Sequence, residues 1–97
     1  MFIVSEKKTP HGMLLVITDA EIIGKIFDQG KLQLDLTKEF YKGEEKDNVE
    51  IEKLLVKARY VHFTGHRAVQ LGLDKKLVDQ KKVLLIAGVP HAEVVQE

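Results

Sequence analysis

Apolar residues in this chain fall into short runs and repeats whose periods change along its length. Phe2-Ile3-Val4 and Met13 to Thr18 are β-rich, and the stretch Lys7 to Gly12 between them carries the proline and glycine of a tight connection. An opening β-hairpin is expected. Asp19 is placed to cap a short helical turn over Glu21 to Lys25, which Gly24 and Gly30 keep brief. Leu32, Leu34 and Leu36 alternate with Lys31, Gln33, Asp35 and Thr37, a period of two that puts the three leucines on one face of a strand.

The period then changes. After Phe40-Tyr41 and the polar connection Lys42 to Lys46, Asp47 and Glu50 have the form of a capping box, and Ile51, Leu54, Leu55, Ala58 and Val61 recur at helical spacing. This predicts the main helix over about Asn48 to Tyr60. Thr64 is the expected cap of a second helix through Leu71, with Ala68 and Val69 inward and Gly72 as its stop. Lys75 to Lys82 forms a basic connection. Val83 to Ala87 reads as a buried strand because its apolar residues do not alternate with polar ones, and Gly88-Val89-Pro90-His91 ends it. The order implies an α+β fold: residues 1–97 as one small domain, mostly antiparallel sheet with two helices covering one face.

Ninety-seven residues with 44% apolar content suffice for one core and leave no room for a second. The absence of cysteine excludes disulfides, thiolate nucleophiles and cysteine-based metal sites. The longest apolar runs, Met13 to Ile17 and Val83 to Ala87, are far shorter than the roughly 20 residues of a membrane span. The opening Met-Phe-Ile-Val-Ser-Glu-Lys-Lys lacks the pattern of a secretory leader. The expectation is a cytoplasmic protein that makes no membrane contact. Its high share of Lys and Glu agrees with a heat-adapted host.

Fifteen basic residues balance fifteen acidic ones, but unevenly. Asp19 to Glu52 holds ten acids and five bases, whereas Lys53 to Lys82 holds eight bases and two acids. Lys57 and Arg59 suit the end of the main helix. Arg67, Lys75, Lys76, Lys81 and Lys82 remain, as a basic patch for phosphates or as a plain solvated face.

Thr64-Gly65-His66-Arg67 has the composition of an anion site at a helix start: free amides, a hydroxyl, an imidazole and a forked guanidinium. The simpler reading is an ordinary cap with Arg67 paired to an acid such as Asp35 or Glu39. Pro90 stiffens the segment after the last strand, so His91 is expected to be displayed at a strand end and to join that site. His62 and His66 have the four-residue spacing of zinc-binding helices. Phe63-Thr64-Gly65 breaks that helix, however, and no metal site, catalytic residue or cofactor is assigned.

Met1 to Val4, Asp19 to Lys25, Leu32 to Leu36 before Phe40-Tyr41, Gly65-His66-Arg67-Ala68-Val69 and Gly88-Val89-Pro90-His91-Ala92 together resemble the archaeal family known as domain of unknown function 424 (DUF424). The resemblance covers nearly the whole chain and implies a small archaeal cytoplasmic protein of α+β type, without an activity. The family pattern more often has an acidic residue where His66 stands and Gln where Glu93 stands, which shifts weight onto Gly65, Arg67, Pro90 and His91.

Three functional readings stay open. The first is a non-catalytic module that binds RNA or a nucleotide phosphate through Thr64, Gly65, His66, Arg67, Pro90 and His91, linked to translation or RNA metabolism. The second is a small enzyme for an anionic substrate, with His91 as acid or base and Arg67 as clamp. The third is a scaffold whose apolar edge, the opening hairpin or the Val83 to Ala87 strand, pairs with a protein partner.

Overall fold

The computed structural model describes residues 1–97. The opening hairpin forms as expected, β1 (Phe2–Thr9) pairing antiparallel with β2 (Gly12–Asp19). Its turn is closed by Thr9, whose hydroxyl donates to the Gly12 carbonyl (2.6 Å) and accepts from the His11 amide. β3 (Ile26–Gln29) and β4 (Leu32–Asp35) make a second, two-stranded sheet. Leu34 and Leu36 are buried there, but Leu32 lies out in solvent at the hairpin end.

β5 (Glu44–Lys46) pairs with β1 at the edge of the main sheet and leads into α1 (Asn48–Leu55). The capping box is present: the Glu50 amide donates to Asp47 and the Asp47 amide to Glu50. The helix, however, ends at Leu55 rather than near Tyr60. Ala58–Thr64 is strand β6, parallel to β2 on one side and antiparallel to β8 on the other. Ala58 and Val61 fit the helical period by coincidence, whereas Val61, Phe63 and their polar alternates Tyr60 and His62 fit a strand buried on one face. Pairing with two distant strands overrides local periodicity here.

The second helix, α2, spans His66–Asp74. Its cap is Gly65 at φ 108°, not Thr64, and Gly72 is a helical residue rather than a stop. A methyl at Gly72 would meet the Val78 side chain at 2.5 Å and the Phe63 ring at 3.2 Å, so glycine here lets the helix pack against both the sheet and the segment that follows it. Val83 to Ala87 shortens to β7 (Leu84–Ile86), an edge strand with Leu84 and Leu85 exposed. Gly88-Val89-Pro90-His91 does not end the sheet. Ala87 and Gly88, both at positive φ, form a tight turn into β8 (Val89–Val95).

The main sheet runs β5-β1-β2-β6-β8-β7, with every neighbouring pair antiparallel except β2 with β6. The fold class is α+β, as expected. Both helices cover one face, where Leu15, Ile17, Ile51, Val61 and Phe63 are wholly buried. The β3–β4 hairpin and Tyr41 partly cover the other, with Leu34, Leu36, Ile86 and Val89 as a smaller core. No helix is long and apolar enough to cross a membrane.

Candidate functional site

The residues expected to form one anion pocket are divided between the two faces. At the start of α2, the amides of Arg67 and Ala68 donate to the two oxygens of Asp19 (3.0 and 2.7 Å), a carboxylate almost fully buried. Asp19 therefore caps α2 across 48 and 49 residues of sequence and makes no capping bond to the 3-10 turn Ala20–Ile22 that follows it. Gly65 is required because a Cβ there would collide with that carboxylate. The Arg67 guanidinium is held by both oxygens of Glu21 and by the Met1 carbonyl, and lies 5.2 Å from the centre of the Phe2 ring. Its acid partner is Glu21, not Asp35 or Glu39. Bonding to its own backbone amide, then to Arg67, holds the Glu21 carboxyl below its usual range.

His66 and Arg67 line a cavity of about 470 Å³ on this helix side. His66 and Pro90 line a second, of about 300 Å³, beside it. Of the basic residues, Lys75 pairs with Glu52, and Lys82 borders a separate cavity of about 370 Å³. Lys76, at φ 61°, belongs to the turn after α2, and Lys81 donates its amide to Asp79 in the 3-10 turn Gln80–Lys82.

Thr64 and His91 belong to the opposite face. His91 is the third residue of β8, mostly buried, and not displayed at a strand end. Side chains at every second position share a face, so Thr64 opposite His91 and His62 opposite Glu93 make four adjacent groups on two strands. His91 Nδ1 is 2.8 Å from the Thr64 hydroxyl, and its Nε2 is 3.0 Å from one Glu93 oxygen. The second Glu93 oxygen lies 3.7 Å from His62 Nε2. The His62 ring packs against Phe40 and meets the His91 ring edge-on at 5.8 Å.

Burial, with His91 beside it, holds the His62 ring below the usual imidazole range against the opposing pull of Glu93, so it is neutral near pH 7. The hydrogen bond from His91 holds Glu93 below the usual carboxylate range. A neutral imidazole and an ionised carboxylate are the states in which these groups bind metal. One ligand atom from each of His62, His91 and Glu93 lies within 4.8 Å of the others. Two imidazoles and one carboxylate make a common ligand set for zinc and for non-haem iron, with positions left open.

His62 was visible in the sequence only as a helical partner of His66, and Glu93 only as a departure from the family pattern that weighed against a role for it. The available signal was the pair of alternating triplets Tyr60-x-His62-x-Thr64 and His91-x-Glu93. It points to a site only once both segments are read as paired strands.

A solved structure described as an uncharacterized conserved protein from Methanopyrus kandleri is similar to the chain, with a TM-score of 0.78 and 17% identity over 99% of this chain and 94% of that one. At this identity the likeness shows a shared fold. No curated protein matches the chain. The profile of the family described as "Protein of unknown function (DUF424)" matches residues 6–96, nearly the full length, and the chain belongs to that family.

Proposed function

We propose that the protein is a metal-binding domain that holds one divalent transition-metal ion on His62, His91 and Glu93. The ion's remaining positions would be open to an anionic oxygen ligand such as a phosphate. The observation that carries this reading is the convergence of the three ligand atoms on one sheet face. An ion about 2.0–2.2 Å from each ligand implies ligand separations of roughly 3–4 Å; one Glu93 oxygen lies 3.0 Å from His91 and the other 3.7 Å from His62, and one ligand atom from each residue lies within 4.8 Å of the others. The Thr64 hydroxyl behind His91 supplies the outer hydrogen bond that metal-bound histidines commonly make. The family resemblance, not the metal cluster, supports reading the protein as archaeal and cytoplasmic.

The test is titration of chelator-treated protein with Zn²⁺ by calorimetry. Saturation at one ion per chain, lost in both His91→Ala and Glu93→Ala, supports the reading. Equal uptake by the wild type and both variants overturns it.

A second reading, a module for RNA or a nucleotide phosphate, is favoured by the two cavities that meet at His66 and Gln70. Arg67 lies in the larger one, and its exposed pair with Glu21 is of a kind worth about 1 kcal/mol or less, so a phosphate can compete for it. This reading gives the protein a task in translation or RNA metabolism. It expects binding to single-stranded RNA that weakens steeply with salt and falls in Arg67→Ala. Salt-independent binding, or none, overturns it. An enzyme using both Arg67 and His91 on one substrate has less support, because the two side chains lie on opposite sides of the sheet.

A further inference from the structure

The two edges of the main sheet meet solvent differently. β5 is Glu44-Glu45-Lys46, a run of charges that discourages pairing with another chain, whereas β7 is Leu84-Leu85-Ile86 with both leucines exposed. The turn after β7 fixes which of its backbone groups are free. Ala87 and Gly88 both have positive φ, so Ile86 and Val89 close the turn as a hydrogen-bonded pair, and such pairs recur at every second residue of an antiparallel ladder. Leu84 with His91 is the next one. Between them Leu85 stands opposite Pro90, which has no N–H and whose carbonyl accepts from the Gly65 amide on its other side. The N–H and C=O of Leu85 therefore point out of the sheet. The Ala87 amide is already taken by Gln29, so the open edge is centred on Leu85.

Side chains give this edge two apolar faces. Leu85 borders the cavity of about 300 Å³ between α2 and the sheet edge, together with Val69, Leu73, Val83 and Pro90. Leu84 lies on the other face, that of Ile86 and the smaller core. Charges mark the two ends. Lys81 and Lys82 precede β7, while the turn beyond it is tied to Gln29, next to the exposed Asp28.

We propose that β7 is the interface of a symmetric dimer, in which a second copy of this chain pairs antiparallel with it about Leu85. A residue that offers one outward donor and one outward acceptor is its own complement across a two-fold axis. Directly opposed side chains share a face, so each Leu85 enters the cavity of the other copy and each Leu84 meets the other copy's Ile86, which extends the smaller core. Antiparallel pairing also brings the Lys81-Lys82 end of one strand to the Asp28 end of the other. This match of ends favours a second copy over an unrelated strand. The contact is small, two backbone bonds and a few apolar side chains, and a Kd of about 1–100 µM is expected. It uses none of His62, His91 and Glu93, so it stands or falls apart from the metal-binding reading.

The test is sedimentation equilibrium of the full-length protein with chelator present, from about 5 µM to about 1 mM. Wild type should pass from monomer to dimer over that range. Leu85→Asp should stay monomeric throughout. So should Leu85→Pro, which keeps an apolar side chain and the bonds to β8 but lacks the outward N–H. Circular dichroism of both variants should match wild type. The chain has no cysteine, so Leu85→Cys under mild oxidation should give a disulfide-linked dimer, and Val56→Cys, exposed just past α1, should not. A wild type that is monomeric at about 1 mM overturns the proposal. So does a dimer that persists in both Leu85→Asp and Leu85→Pro, or linkage as efficient from position 56 as from position 85. If either variant does not fold, the other and the cysteine pair still decide the matter.

Discussion

His62 and Glu93 face each other directly across β6 and β8, and the His62 Nε2 to Glu93 oxygen distance of 3.7 Å follows from that pairing. Because both residues sit on ladder-bonded strands inside the sheet, their spacing depends on strand register and not on a loop. A site on such elements is pre-organised, so a ligand need not order it at entropic cost. The same register places Thr64 behind His91. Two strands thus supply three candidate ligands and an outer hydrogen bond from four residues.

Glu93→Gln keeps the shape of the side chain and removes its charge. Zinc affinity should fall roughly 10- to 100-fold, with the circular dichroism spectrum unchanged. His66→Ala should leave zinc affinity at the wild-type value, because His66 lies on α2 and outside the cluster. Loss of binding in the His66 variant would place the ion elsewhere.

Metal binding should also appear as stability. An ion that binds only the folded chain adds about 2.7 kcal/mol at a hundred times its Kd. For a domain of this size that means a rise in Tm on the order of 10 °C, reversed by chelator. His62→Ala should abolish the rise. A Tm unmoved by excess zinc would count against the centre.

How much of this was legible in the sequence depended on the range of the interactions. The hairpin β1–β2 and the Asp47–Glu50 box are local, and their signals lie within a few residues. The end of α1 was not legible, because Ala58 and Val61 continue its period and only β2 and β8, distant in sequence, hold them as strand. β8 was hidden by Pro90, which reads as a stop but is tolerated beside the short edge strand β7. The candidate site failed to appear for the same reason: its residues share a face only after β6 and β8 pair. Arg67 and Gly65 read as parts of an anion site at the helix start, but the negative oxygens that meet that helix start belong to the chain itself.

Asp19 is the clearest of those internal partners. Asp19→Ala leaves the amides of Arg67 and Ala68 without an acceptor in a buried setting, and should cost about 1–3 kcal/mol in urea unfolding. Arg67→Ala removes an exposed pair and should cost less than about 1 kcal/mol. Equal costs would mean that the surface pair, not the buried cap, anchors α2.

Glu21 supplies a pH dependence. Its carboxyl is held below the usual value of 4.5 by its backbone hydrogen bond and then by Arg67. Its contribution to stability is therefore fully present above that value and is lost as pH falls through the lower folded-state value. NMR titration should place the Glu21 midpoint below that of an unstructured glutamate, and Arg67→Ala should move it upward. Glu21→Gln should flatten the corresponding part of the acid-unfolding curve, while above pH 6 its slope against pH should match that of wild type.

Ala87 carries strain that a substitution can relieve. It has φ 50° at the first position of the turn between β7 and β8, where an L side chain crowds the following carbonyl. Gly88 fills the second left-handed position without that cost. The Ala87 amide donates to the Gln29 side chain at 2.7 Å and is retained whatever side chain stands there. Ala87→Gly should therefore stabilise the protein by about 0.5–1 kcal/mol, the relief of left-handed strain being partly offset by the freedom glycine adds to the unfolded chain. Asn tolerates this conformation and frees the unfolded chain less, so Ala87→Asn should do at least as well. Urea midpoints of the two variants against wild type measure the effect, and a loss of stability in both would show that the alanine methyl makes a contact worth more than the strain it causes.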